Sequence, residues 1–381
     1  MQNYNFKFFG DIFLGPSSIN NLYDIIKKKN YSSAAIIIDH NLVSIKPFVE
    51  IINKINENIK SIIIECNYPE PTYEMLDSNR IDKSIEVDVF IGIGGGSAMD
   101  MAKGLAVLYT NEKPAIFYRG FDKFENIVPP IIAIPTTAGT GSEITPNASF
   151  IDTNEKRKMG INGEAIRPKF AILDPQLTLS CPKAPTISAC VDSMVHATEA
   201  FVAKSSNPMA KMFAREGFQK VFKYLPVLIN DLENIDLRQK VMHGAFLSAI
   251  ALMNSGTGPA AAMSYPLGVH FGVPHGIGGG IFLPHVIQHN IDSGYFEYIR
   301  LSIDRIDIQD EKKIANEFIE ELWNIWELME IPQDLKKFGM NENHVQKFLG
   351  DTMDLKGALD QNPVPFYENE IKMVLKKLNI G

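Results

Sequence analysis

Val87-Asp88-Val89-Phe90-Ile91-Gly92-Ile93-Gly94-Gly95-Gly96-Ser97-Ala98-Met99-Asp100-Met101-Ala102-Lys103 is the stretch whose reading decides the fold. Val87–Ile93, apolar apart from Asp88, reads as a buried strand. The glycines that follow let the backbone turn sharply and approach a ligand closely. The next residues read as a helix, whose first N–H groups and positive dipole end favour an anion. Strand, glycine turn and helix together suit a pyrophosphate. Gly94, Gly95, Gly96, Ser97 and Asp100 are therefore candidate cofactor contacts. A tight turn without a ligand would use the same residue types, but three consecutive glycines and a serine favour the ligand. The usual dinucleotide fingerprint follows a first strand and has an acidic residue about 20 positions later. Here the glycines follow the third strand-like run, and the acidic candidate, Asp39, precedes them. Asp39 could accept from a ribose diol, favouring NAD over NADP.

Outward from this stretch, the first ~180 residues alternate strand-like and helix-like segments. Ala34–Ile38, Ser61–Glu65, Ile131–Pro135 and Phe170–Leu173 read as buried strands, and Asn20–Lys29 and Pro47–Asn58 as helices. The alternation predicts a largely parallel sheet covered on both faces. A second small-residue loop, Pro135-Thr136-Thr137-Ala138-Gly139-Thr140-Gly141-Ser142-Glu143, leaves another strand and could pass close to a cofactor. After Asp174 the texture becomes helical, with Ala189–Ala203, Pro208–Tyr224, Leu237–Met253 and Glu311–Met329 apolar at helical spacing. Two domains are expected: 1–180, an α/β dinucleotide-binding domain, and 181–381, an all-helical catalytic domain. The active site is expected in the cleft between them.

The bulk numbers narrow the class. The 381 residues are 45% hydrophobic and 22% charged, with a formal net charge of −8. That balance argues against nucleic acid or an anionic membrane as partner. Cys66, Cys181 and Cys190 form no paired framework, which suits a reducing compartment. No signal peptide is expected at the start, and no apolar run reaches the roughly 18 residues of a membrane helix. A cytoplasmic location follows as an expectation.

In the helical half, Ala189–Glu199 reads as a helix on which Asp192 and His196 share a face. A carboxylate and an imidazole so placed can bind a divalent metal, although such pairs also occur as plain helix-surface contacts. A second region, Ser264-Tyr265-Pro266-Leu267-Gly268-Val269-His270-Phe271-Gly272-Val273-Pro274-His275-Gly276, is rich in histidine and glycine. His275 reads as positioned between Pro and Gly. His285 reads equally well as structural, and His40, His243, His289 and His344 lack companions.

These segments, in this order, resemble the iron-containing alcohol dehydrogenase family through nearly the whole chain. The resemblance rests on GGGSAMDMAKG, PTTAGTGSE, the Asp192/His196 helix, and YPLG…PHG followed by LPH. Dehydroquinate synthase and glycerol dehydrogenase share the wider architecture. The resemblance implies the same two-domain fold, with Asp39 on the adenosine ribose and Gly95, Gly96 and Ser97 on the pyrophosphate. Thr136, Thr137 and Thr140 would line the cofactor, with Asn147 and Lys158 toward the nicotinamide. It implies homodimers or larger oligomers, and a small alcohol or aldehyde as substrate.

The metal site does not carry over whole. The family holds iron or zinc through one aspartate and three histidines, and Asp192, His196 and His275 match three of these. The remaining histidine position is Ala261, and a histidine expected before PLG is Tyr265. Three explanations stay open: His270 replaces the missing ligand; three protein ligands suffice; or the enzyme works without metal, Tyr265, His270 or His275 handling the alcohol proton. Alternatives to the dehydrogenase are a dehydroquinate-synthase-like NAD-dependent cyclase and a cofactor-binding protein that has lost turnover.

Overall fold

The computed structural model describes residues 3–8, 10–67, 70–302 and 310–380. Its contacts divide the chain into two compact units, Phe9–Cys181 and Met1–Phe8 with Pro182–Gly381. The N-terminal residues join the second unit because Phe6 stacks on Phe213 and the Lys7 N–H donates to Asn254. Sequence texture carries no sign of this.

The first unit contains a parallel sheet of six strands among the described residues. They are β1 (Asp11–Leu14), β2 (Ser33–Asp39), β3 (Lys60–Cys66), β4 (Val89–Gly94), β6 (Ile131–Pro135) and β9 (Phe170–Leu173), in the order β1-β9-β6-β4-β2-β3. The helices are α1 (Asn21–Lys28), α2 (Lys46–Asn58), α3 (Tyr73–Ser78) and α4 (Gly96–Thr110). Strand β2 shows why both faces are covered. Ala34, Ile36 and Ile38 pack with Leu22 and Ile25 of α1 and Phe48 and Ile51 of α2. Ala35 and Ile37 pack on the other face with Leu76 of α3 and Ala102 and Leu105 of α4. A strand buried on both faces needs an unbroken apolar run, which is what the sequence has.

Three short strands, β5 (Gly120–Phe121), β7 (Asn147–Asp152) and β8 (Arg157–Asn162), form a second sheet in the order β5-β8-β7. Sequence reading missed it, and missed β1. The apolar run of β1 is only three residues, Ile12–Leu14, and the β7–β8 hairpin is too polar to signal burial. The hairpin matters because it packs against α4, the helix that follows the glycine turn.

The chain goes from β2 to β3 on one side of β2, then crosses to β4 on the other. That reversal is a topological switch point, where an open parallel sheet leaves a crevice at its carboxyl edge. Asp39 ends β2 and Gly94 ends β4, one residue beyond the paired Ile38 and Ile93. The sheet itself thus brings the acidic residue to the glycine turn.

The second unit is helical: α5 (Lys183–Val202), α6 (Pro208–Leu228), α7 (Ile235–Met253), α8 (Pro259–Phe271), α9 (His275–Asp292), α10 (Ile299–Ser302), α11 (Glu311–Leu328), α12 (Val345–Met353), α13 (Lys356–Leu359) and α14 (Glu368–Lys377). Helix α5 is buried almost all round and packs against α6, α7 and α9. It begins six residues before the apolar stretch that marked it in the sequence, because Pro185 is tolerated in a first helical turn. Among the described residues, no helix is long and apolar enough to cross a membrane.

Helices α5 and α9 meet with almost no space between them. A β-carbon at Gly276 would overlap the Ser188 carbonyl oxygen and lie 2.9 Å from the Asp192 β-carbon. Gly276→Ala should therefore push α9 from α5 and lower stability by about 1–3 kcal/mol, the usual cost of overpacking. Urea unfolding would check this; an unchanged midpoint would show that the contact is slack.

Candidate active site

Two polar centres form, one in each unit. The first lies at the switch point. Gly94 has φ +150, and a β-carbon there would lie 2.8 Å from that of Ala98 and 3.0 Å from that of Asp39. Only glycine lets β2, the turn and α4 converge so closely. Gly95 is the N-cap of α4 and brings no side chain to cap the helix, leaving that role to a ligand or solvent. Asp39 is fixed by its own turn, Oδ1 accepting from the Asn41 backbone N–H at 2.9 Å and its side-chain amide at 3.0 Å.

The threonine loop leans over this turn. A β-carbon at Gly96 would meet Thr140 Cγ2 at 3.0 Å, and one at Gly95 would meet Thr137 at 3.7 Å. The Thr136 N–H donates to the Gly94 carbonyl at 2.9 Å, extending the β4–β6 pairing by one step. Gly94, Gly95, Gly96, Thr136, Thr137 and Thr140 are therefore one surface, although forty residues separate the two loops. Ser97 opens α4 with them.

A buried polar network that sequence reading did not identify holds the loop there. Lys103, wholly buried on α4, donates to Ser142 Oγ at 2.8 Å and to the Asn147 carbonyl at 2.7 Å. Asp100 accepts from Ser142 Oγ at 2.6 Å and from the Ser149 N–H at 2.9 Å, with Lys103 Nζ 3.8 Å away. Asp100 was expected among the cofactor contacts. The structure instead turns both of its oxygens inward, onto the loop and β7. Burial pushes the Lys103 ammonium down to about 8 and the Asp100 carboxyl upward, each resisted by the other's charge. The signal available was a lysine three residues after an aspartate on an otherwise apolar helix. Asn147 and Lys158 fall on the β7–β8 hairpin, with the Asn147 amide donating to Asn162 Oδ1 at 2.6 Å and Lys158 paired with Glu70 at 2.5 Å.

The second centre is the cluster Asp192, His196 and His275. One ligand atom from each lies within 4.8 Å of the others. Asp192 and His196 are one turn apart on buried α5. His275 is the first residue of α9, delivered by the left-handed Gly272 that ends α8 and by Pro274. Asp192 Oδ1 is 3.5 Å from His196 Nε2 and 3.8 Å from His275 Nε2. Those separations are long for hydrogen bonds. Atoms sharing a tetrahedral ion at about 2.1 Å would stand roughly 3.4 Å apart. Among the described residues, His196 Nδ1 is buried without a hydrogen-bond partner. One carboxylate oxygen and two imidazole nitrogens suit Fe²⁺ or Zn²⁺, so the donor set fits a metal.

His270 does not join this cluster. Its Nε2 binds Asp351 Oδ2 at 2.6 Å, between α8 and α12. That pairing sets His270 apart from the group formed by Asp192, His196 and His275 in this structure. Tyr265, half-buried, stands edge-on to the His275 ring with centroids 5.0 Å apart. Ala261 lies buried in the first turn of α8. That turn is capped from outside by Glu199 of α5, which accepts from Thr257 Oγ1 and from the N–H groups of Gly258, Ala260 and Ala261 at 2.7–3.3 Å. Burial pushes the Glu199 carboxyl up, and these donors oppose the shift. Ser264 Oγ donates to the Ala261 carbonyl at 2.6 Å and lies 2.8 Å from His275 Nδ1. Sequence reading singled out neither Glu199 nor Ser264. Of the remaining histidines, His40 pairs with Glu65, and His285 packs on Trp323, where burial pushes it down to about 4.

Comparison with known proteins matches residues 10–175 to the model described as iron-containing alcohol dehydrogenase, and residues 186–379 to that of the Fe-containing alcohol dehydrogenase family, C-terminal. The chain is 27% identical over 367 residues to alcohol dehydrogenase 4 of Saccharomyces cerevisiae, covering 96% of each chain. It is 31% identical over 280 residues to the NAD-dependent methanol dehydrogenase of Bacillus methanolicus, covering 73% of this chain and 74% of that one. Its fold matches a crystal structure of 1,3-propanediol oxidoreductase with TM-score 0.91 and 24% identity, over 99% of this chain and 100% of the other.

The buried lysine makes a pH-dependent prediction. The folded state holds Lys103 near 8, against 10.5 when exposed. Between those values the unfolded chain binds more protons, so raising the pH favours folding through this group. The stability of the wild type relative to Lys103→Met should therefore rise from about pH 8 to pH 10.5. Denaturant melts across that window would check it, and a flat difference would show that the amine is not desolvated.

Proposed function

The chain belongs to the iron-containing alcohol dehydrogenase family and is an NAD-dependent alcohol dehydrogenase or aldehyde reductase; on that premise we propose which of its residues bind and activate the reactants. The curated relatives include alcohol, 1,3-propanediol and 4-hydroxybutyrate dehydrogenases, and neither a cyclase nor a protein without turnover is favoured. The observation that carries the site assignment is the convergence of Asp192, His196 and His275, whose ligand atoms lie within 4.8 Å of one another.

Asp39 binds the adenosine ribose through its carboxylate and repels a 2′-phosphate, selecting NAD. Gly94, Gly95, Gly96 and Ser97 offer the pyrophosphate the turn and the start of α4. Thr136, Thr137 and Thr140 line the cofactor, and Asn147 and Lys158 serve its nicotinamide end. NAD supplies or accepts the hydride. Asp192, His196 and His275 hold a divalent iron or zinc ion. When bound there, the ion would supply Lewis-acid polarisation of the substrate oxygen. Tyr265, beside His275, holds or passes the hydroxyl proton. His270, already paired with Asp351, is left out of the ligand set. Three protein donors would match the ligand count of many catalytic zinc sites.

A cytoplasmic homo-oligomer completes the proposal. Three cysteines without a paired framework in the sequence fit a reducing compartment, and light scattering on purified protein tests the assembly.

The decisive assay turns over short alcohols and their aldehydes with NAD(H) or NADP(H), before and after chelation and reloading with Fe²⁺ or Zn²⁺. Turnover should prefer NAD(H), disappear on chelation and return on reloading. Full activity in demonstrably metal-free protein would overturn the metal assignment, and a preference for NADP(H) would overturn that of Asp39. Gly96→Val, which would drive a side chain into Thr140, should raise the KM for NAD about tenfold or more, roughly 1.4 kcal/mol of lost binding. An unchanged KM would remove Gly96 from the cradle.

A further inference from the structure

Ser264 has no part in the proposal so far, yet its surroundings are specific. It is 1% exposed on α8, three residues after Ala261. Its hydroxyl donates to the Ala261 carbonyl oxygen at 2.6 Å, and its Oγ lies 2.8 Å from His275 Nδ1. A carbonyl oxygen can only accept, and a serine hydroxyl has one proton to give. With that proton on Ala261, Oγ meets Nδ1 as an acceptor. The 2.8 Å contact is then a hydrogen bond only when Nδ1 carries the ring proton. A neutral imidazole has one such proton, so Nε2 is left with its lone pair. Nε2 is the nitrogen that faces Asp192, 3.8 Å from Oδ1.

We propose that Ser264 is a positioning residue that fixes His275 in its Nδ1–H tautomer, presenting the Nε2 lone pair to the divalent cation shared with Asp192 and His196. The inference rests on the metal assignment of that cluster and deepens it. His275 needs such a hold more than its partners do: its side chain is 23% exposed, against 5% for Asp192 and 9% for His196. The close approach of α9 confines the serine, since a β-carbon at Gly278 would lie 3.1 Å from that of Ser264. Position 261 thereby keeps a link to the site although alanine cannot ligate, because its carbonyl anchors the hydroxyl that orients a ligand.

The test uses the full chain. In metal-free protein with ¹⁵N-labelled histidine, at a pH above the imidazole range, NMR correlations should report His275 as the Nδ1–H tautomer. Ser264→Ala should move it toward the Nε2–H form, while Ser264→Thr, which keeps the hydroxyl, should not. Titration with Co²⁺, read by visible absorption, and competition with Zn²⁺ should show affinity weakened about 10- to 100-fold in Ser264→Ala and near wild type in Ser264→Thr. A wild-type His275 carrying its proton on Nε2, or Ser264→Ala binding Co²⁺ as tightly as wild type, would overturn the proposal without any need of the other variants. If the wild type binds neither ion, the metal assignment itself falls and takes this inference with it, which the wild-type titration tells apart from a failure of Ser264 alone.

Discussion

Close backbone approach is the constraint on which both polar centres depend. At the switch point, β2, the glycine turn and α4 crowd around the place where Gly94 lacks a side chain. In the helical unit, α9 lies against Ser188 and Asp192 of α5 where Gly276 lacks one. In the first case the missing β-carbon brings a carboxylate beside the start of α4. In the second it brings His275 to the aspartate and histidine of α5. A methyl group at either place would separate groups that must act together.

The second common feature is the use of buried charge as internal scaffolding. Lys103 and Asp100 tie α4 to the threonine loop and β7. Glu199 ties α5 to the start of α8 through backbone N–H groups. Such groups are costly to desolvate and strongly directional once satisfied. They make the loop and the helix start hold one position, where apolar contacts alone would let them slide. That cost is reasonable in a protein whose reactants must be held within fractions of an ångström.

Much of this was legible in the residues themselves. The apolar run of Ala34–Ile38 and the largely apolar Val87–Ile93 announced strands covered on both faces, and those strands lie inside the sheet rather than at its edges. Gly94–Gly96 marked the turn, and the one-turn spacing of Asp192 and His196 marked one face of α5. The β7–β8 hairpin was not legible, since its burial comes from α4 rather than from its own apolar content. The placement of His270 was not legible for a related reason. Its neighbours in sequence make it look like a companion of His275, but its partner is Asp351, 81 residues away on α12.

The sequence by itself therefore determined the parallel α/β half, the helical half, the glycine turn and the candidates Asp192, His196 and His275. Those depend on periodicity and on local backbone freedom, which are properties of neighbouring residues. Tertiary structure alone decided that Asp39 meets Gly94, that Asp100 faces inward, that His270 turns to α12 and that Ser264 reaches His275. Each of those is a choice of partner by a polar atom. Such a choice is set by which buried donors and acceptors packing brings within about 3 Å, a distance that spacing along the chain does not encode.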